Sequence, residues 1–380
     1  MSAICIVSHA AYGAMTGGRD GHAGGVERQT SMTARFLAAR GHDVSLVVWS
    51  EGPPQDERID GVRVIKLCKQ ADGLPGLRFL HPRWTSLSAA LGRADADVYY
   101  HNCAEAITGQ VAIWCRRHSR PFVYSVASDP ECDPALPMLP HARERVLFRH
   151  GLRRADRILV QTRAQQESLL RGFGLTGTVL PMPCEGPSDQ EYAEPNPFSC
   201  PQPRVVWVGR LSSEKRLEWL IDIAAMVPEL AFEVAGAAAD GDEKAHRLSA
   251  RAAAMPNVTL LGKVPRSQMP NVYRNALALL CTSVYEGFPN TFLEAWSHGI
   301  PVVSTIDPDN LIAARGLGVV AHDPQALVAA IRELASSAAR WHEVSVRARG
   351  YFCERHLPEQ ALPMFEQVLV EAASRRKARA

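Results

Sequence analysis

The sequence predicts an α/β protein made of two doubly wound, parallel-sheet domains. Short β-branched runs alternate with longer amphipathic stretches, and that pattern restarts after a proline-rich seam at 181–203. The chain has 380 residues, more than one hydrophobic core usually organises.

In the first half, strands are expected at 4–8, 44–49, 62–67, 98–101, 122–126 and 158–161. A helix is expected over 26–40, closed by Gly41 in the usual C-terminal position. In the second half the strand candidates are 205–209, 232–236, 258–262, 278–283 and 301–305. Helical patterns follow most of them, at 217–226, 243–254, 267–275 and 291–297. Short apolar strands separated by helices argue for parallel sheets covered on both faces. The prolines and acidic residues of 183–203 suit neither helix nor ladder, so this segment is expected to link a domain over 1–182 to one over 204–357.

Composition excludes several classes. With 46% hydrophobic and 22% charged residues, wholesale disorder is ruled out. A net charge of +2 gives no reason to expect nucleic acid. The balance is uneven, however: 22 Lys/Arg face 17 Asp/Glu through Leu180, and 20 face 23 beyond it, so the halves are expected to meet different ligands. Nine scattered cysteines without a C-x-x-C pair point to a reducing compartment, with neither disulfides nor a zinc site. The apolar start is too short for a signal peptide, and no stretch reaches the length of a membrane span. A cytoplasmic, soluble protein is expected.

In open α/β sheets, ligands bind beyond the carboxyl ends of the strands. Three loops there carry chemistry. Gly24-Gly25 opens a helix, where backbone N–H groups and the dipole favour an anion, although a plain surface loop is an equal reading. In VVWVGRLSSEKR, Arg210 stands at a strand tip and Lys215 is expected on the first turn of the following helix, a pair suited to a diphosphate. The bland alternative is a solvated cluster in which Glu214 pairs locally. In VYEGFPNTFLEAW, Glu286 precedes a Gly287-Phe288-Pro289-Asn290 turn and is placed to accept from sugar hydroxyls. Glu294 is within reach of ribose hydroxyls, but Thr291-x-x-Glu294 also reads as a capping box.

Other features are weaker. Asp95-x-Asp97 and Asp240-x-Asp242 are taken as chance pairs, and Asp307-x-Asp309 is left open as a cleft lining. His101 ends a strand, where a structural histidine is the commoner case. Six arginines between Arg143 and Arg157 form a basic helix face, suited either to solvent or to an anionic acceptor or membrane surface.

Together GGVERQ, VGRLSSEKR and the Glu286/Glu294 pair resemble the family-4 glycosyltransferases and their E-x7-E motif. That resemblance implies the GT-B architecture, two Rossmann-like domains facing across a cleft, with a C-terminal helix (about 358–380) returning to the first. It implies retaining transfer from a nucleotide-sugar donor to a glycan, lipid-linked or small-molecule acceptor, without metal or other cofactor. Arg210 and Lys215 would bind the diphosphate, Glu286 the donor sugar and Glu294 the ribose. Gly24, Gly25, Gly287, Phe288, Asn290 and Thr291 would surround the sugar and phosphates. The family's first-domain histidine is absent from YSVASDPEC, leaving His101 or Asp129 as acceptor-side candidates. The expected role is glycan or glycoconjugate assembly, with possible peripheral attachment at the inner membrane face. The rivals are a catalytically silent nucleotide-binding partner subunit of the same fold and, more distantly, a nicotinamide oxidoreductase, whose glycine fingerprint is missing after both first strands.

Overall fold

The computed structural model describes residues 1–17, 24–53, 55–239 and 241–377. The chain divides into one unit of Met1–Pro183 with Pro358–Ala380 and a second of Cys184–Leu357.

The first unit is built on eight strands: β1 (Ala3–Val7), β2 (Asp43–Val48), β3 (Glu57–Ile59), β4 (Val62–Lys66), β5 (Val98–Asn102), β6 (Phe122–Ser125), β7 (Arg157–Val160) and β8 (Thr178–Val179). Their order is β3-β4-β2-β1-β5-β6-β7-β8, parallel except where β3 pairs back on β4. Strand β1 is central and wholly buried from Ile4 to Val7. Its side chains alternate: Cys5 and Val7 enter the core on one face, Ile4 and Ile6 that on the other. Burial on both faces explains why its sequence is a continuous apolar run rather than an alternating one. The C-terminal helix Pro358–Lys377 lays Phe365, Leu369, Ala372 and Ala373 into the Ile4/Ile6 core.

The second unit has six parallel strands, β9 (Arg204–Val208), β10 (Ala231–Ala235), β11 (Val258–Gly262), β12 (Ala276–Cys281), β13 (Val302–Ser304) and β14 (Gly318–Val320). Their order is β11-β10-β9-β12-β13-β14, the doubly wound arrangement. The chain runs from β9 outward through β10 and β11, then returns to the other side of β9 at β12. The space beyond the carboxyl ends of β9 and β12 is therefore the switch point of this sheet.

Three local expectations change. The segment after Cys184 is not a loose linker but lies along the second unit. Cys184 N donates to His356 O (2.8 Å), Arg349 Nη2 to Pro187 O (3.1 Å), and Asn196 N to Asn275 Oδ1 (2.9 Å). Prolines bar it from a ladder, but its carbonyls still accept side-chain donors. The helix expected over 267–275 is a 3-10 turn, Arg266–Gln268, followed by a short helix, Met269–Tyr273. The arginine-rich helix Ala142–Arg154 spends part of its basic face internally: Arg145 and Arg149 donate to Leu139 O and Pro134 O, and Arg143 sits 3.9 Å from the Phe79 ring centroid. Among the described residues, no helix is long and apolar enough to cross a membrane. The nine cysteines, all among the described residues, form no disulfide.

Candidate functional site

The site grows out of the two strands at the switch point of the second sheet. Strand β9 gives way to Gly209, which approaches the end of β10 so closely that a Cβ on Gly236 would lie 1.8 Å from Gly209 O. Only a residue without a side chain permits that approach. Arg210 follows, its side chain 78% exposed and 3.7 Å from Glu214 Oε1. The chain then makes a 3-10 turn, Ser213–Lys215, rather than entering a helix directly. Arg216 has a left-handed backbone (φ 51°) and precedes the helix Leu217–Met226.

That turn is bolted to the loop leaving β12. Arg216 donates from Nε to Thr282 O (2.5 Å) and from Nη2 to Ser283 O (3.0 Å), while its guanidinium lies 3.8 Å from the Trp219 ring centroid. Thr282 Oγ1 donates to Lys215 O (2.5 Å), and Val284 N donates to Glu214 O (2.8 Å). The result brings Lys215 and Glu286, 71 residues apart, into a direct ion pair between Nζ and Oε1. Ser283 Oγ donates to the same carboxylate oxygen (2.7 Å). Both charged side chains keep about a fifth of their surface open, 20% and 19%, so the pair meets solvent at this edge.

Glu294 has a different setting. The helix Asn290–Ser297 begins after Pro289, with no side-chain cap on its first turn. The capping-box reading of Thr291 and Glu294 is thereby corrected, because Pro289 is the residue before the helix and Thr291 lies inside it, while Glu294 is buried. It accepts from Arg266 Nη1 (2.7 Å) and Tyr273 OH (2.9 Å). Burial together with this carboxylate pushes the Tyr273 hydroxyl well above its usual range. These groups line a cavity of about 820 Å³, along with His298, Met269 and Pro187. Burial, reinforced by Arg266 and Arg349, pushes His298 down to about 4, so its ring is neutral near pH 7. Phe288 packs against Trp296 and His356, with ring centroids at 6.2 and 5.4 Å. Gly287, Asn290 and Thr291 are half-buried around the turn.

The remaining sequence candidates lie in the first unit. Gly24 is the extended residue before the helix Gly25–Ala39, and both glycines are half-buried. The rest of that loop, 18–23, is outside the described residues. His101 is buried in β5 and donates from Nδ1 to Val7 O (2.7 Å). Asp129 accepts from Gln165 Nε2 (2.9 Å). Asp307, left open as a cleft lining, caps a helix instead: its oxygens accept from Ile312 N (2.7 Å) and Ala313 N (3.1 Å). Among the described residues, no group of three or more His, Cys, Asp or Glu is placed to hold a metal ion. Sequence reasoning missed Arg216, Arg266, Tyr273 and Ser283. Arg216 adjoins Lys215 and was visible in SEKR, whereas the other three carry no local signal.

Comparison with known proteins decides the family. Residues 24–183 match the glycosyl transferase 4-like domain, and residues 202–337 match glycosyl transferases group 1. The chain belongs to the glycosyltransferases. Among solved structures, this glycosyltransferase is similar to sucrose-phosphate synthase from Thermosynechococcus elongatus, with a TM-score of 0.78 and 19% identity over 97% of this chain and 98% of that one. It is also similar to Anabaena HepE in complex with UDP-glucose, with a TM-score of 0.74 and 17% identity over 98% of this chain and 100% of that one. These likenesses establish the GT-B fold expected from the sequence. Mannosylfructose-phosphate synthase of Agrobacterium fabrum is 25% identical over 72% of this chain and 69% of its own. Lipopolysaccharide 1,6-galactosyltransferase of Salmonella typhimurium is 36% identical over 26% of this chain and 29% of its own length. The chain spans less than a third of the first curated relatives it matches, 30% and 29%.

Proposed function

We propose that the protein is a retaining glycosyltransferase that takes its sugar from a nucleotide-sugar donor held at the carboxyl edge of the second sheet. The observation that carries the reading is the Lys215–Glu286–Ser283 cluster at the switch point, with Arg210 exposed beside it. In this reading Arg210 and Lys215 bind the diphosphate and stabilise the charge that grows on the leaving oxygen. Glu286, released from Lys215 by the phosphates, accepts from hydroxyls of the donor sugar. Glu294 accepts from the ribose, and the backbone around Gly287, Phe288, Asn290 and Thr291 closes the pocket.

The sugar's anomeric carbon leaves the phosphate oxygen and bonds to the acceptor oxygen on the same face. The acceptor proton passes to the departing phosphate oxygen, so the reaction needs no protein base and no metal. The first unit holds the acceptor. A relative bound to UDP-glucose makes UDP-hexoses the first donors to try. The absent first-domain histidine sustains a second reading, a silent subunit that binds nucleotide without turnover.

The test is a metal-free thermal-shift series of nucleoside diphosphates and nucleotide sugars on wild type and Glu286→Ala. One nucleotide should raise the melting temperature, with a further increment from its sugar that the variant loses. No shift with any nucleotide would refute the donor site. Binding without transfer or hydrolysis would favour the silent subunit.

A further inference from the structure

The run SEKR sets two cations side by side at the carboxyl edge of the second sheet, and the fold gives them different partners. Lys215 pairs with Glu286. Arg216 turns to backbone instead: its Nε donates to Thr282 O (2.5 Å) and its Nη2 to Ser283 O (3.0 Å). A rigid guanidinium fork spans two successive carbonyls, which a single ammonium does not. Both carbonyls belong to buried residues past the end of β12, where the ladder has stopped and a carbonyl needs a donor from elsewhere.

The backbone of Arg216 is left-handed, with φ 51° and ψ 58°. Glycine takes that conformation freely, whereas a residue with a Cβ is held in it only by its surroundings. The position nevertheless carries the longest of the cationic side chains, and that side chain is the part that crosses to the neighbouring loop.

The two charges of the site do not depend equally on this bond. The Lys215 end has ties of its own. Thr282 Oγ1 accepts from Trp207 Nε1 (3.0 Å) and donates to Lys215 O (2.5 Å), and Val284 N donates to Glu214 O (2.8 Å). Glu286 is held by Lys215 and by Ser283 Oγ (2.7 Å). Once phosphates draw Lys215 away, Ser283 is the partner of Glu286 that remains. Ser283 is in turn fixed by Arg216 and by Thr305 Oγ1, which donates to the same carbonyl (2.6 Å).

We infer that Arg216 is a positioning residue that fixes Glu286, through Ser283, where it meets the donor sugar, and that it takes no part in binding the diphosphate. This rests on the reading of the second unit as the donor site.

The test measures dissociation constants of UDP, UDP-glucose, GDP and GDP-mannose by calorimetry on the full chain. Wild type is compared with Arg216→Gly, Arg216→Lys, Glu286→Ala and the variant combining Arg216→Gly with Glu286→Ala. Glycine removes the fork without straining the turn, and lysine keeps the charge without the fork. For the nucleotide whose sugar tightens binding to wild type, Arg216→Gly should weaken the nucleotide sugar about tenfold, the size of one hydrogen bond to a charged group, and the bare diphosphate less than about twofold. Arg216→Lys should show the same split, and carries the comparison if the glycine variant does not fold. Added to Glu286→Ala, Arg216→Gly should weaken the nucleotide sugar no further.

Equal weakening of the diphosphate and its sugar would make Arg216 a phosphate ligand and overturn the inference. So would wild-type affinities in Arg216→Gly, full recovery in Arg216→Lys, or additive losses with Glu286→Ala. In each of those cases the donor reading stands. A wild type that binds neither nucleotide, or gains nothing from the sugar, overturns the donor reading and this inference together.

Discussion

Replacing Glu294 with alanine should destabilise the second unit by about 3 kcal/mol. The carboxylate is 5% exposed and accepts from both Arg266 and Tyr273. Truncation leaves the buried Tyr273 hydroxyl without an acceptor, at about 1–3 kcal/mol, and removes a charge-assisted bond to Arg266 worth about 1.5 kcal/mol or more in a buried setting. Arg266 is 40% exposed and regains water, so its share is the smaller one. For a unit of this size, about 3 kcal/mol corresponds to a fall of roughly 6–12 °C in melting temperature. The assay is thermal and urea unfolding of wild type, Glu294→Ala, Tyr273→Phe and the double variant. Because Tyr273→Phe removes the orphaned hydroxyl, the double variant should be at least as stable as Glu294→Ala alone. Additive losses, or a Glu294→Ala cost below about 1 kcal/mol, would refute the view that Glu294 is held by this pair rather than by its helix.

Gly236→Ala should be severe, because the new methyl would meet Gly209 O at 1.8 Å and neither backbone can move without breaking the β9–β10 ladder. A loss of about 3 kcal/mol is expected, read from the urea midpoint, and an unchanged midpoint would contradict the close approach. Glu131 is buried beneath Tyr124, Ala127 and Ser128, and burial pushes its carboxyl up to about 7 despite the hydrogen bonds from those groups. The unfolded chain, with an ordinary carboxyl near 4.5, binds fewer protons than the folded one between those values, so this group lowers stability as pH rises from about 4.5 to 7. Glu131→Gln should flatten that decline, by up to about 3 kcal/mol, in urea titrations at pH 5 and pH 7.5. An identical decline in the variant would assign it to other groups.

The strands β1, β2 and β12 were legible because each is buried almost throughout and so reads as an apolar run, whereas the edge strand β11 alternates in burial and was legible from Val258, Leu260 and Leu261. The edge strands β3, β8 and β14 span three, two and three residues, too short to stand out from their loops. Glu286 and Lys215 were legible as charged residues beyond strand ends. That they pair with each other was not, since 71 residues separate them and only the adjacency of β9 and β12 closes the gap. The rival cap reading of Thr291-x-x-Glu294 fails because Pro289 precedes the helix and Thr291 lies inside it, and the contacts of Glu294 with Arg266 and Tyr273 were not legible locally. The amino-acid sequence by itself determined the α/β class, the two sheets and the loops that carry chemistry, because periodicity and strand-end position are local properties. The tertiary structure alone decided which charges meet, because that depends on strand order, and strand order is set by packing between segments far apart in the chain.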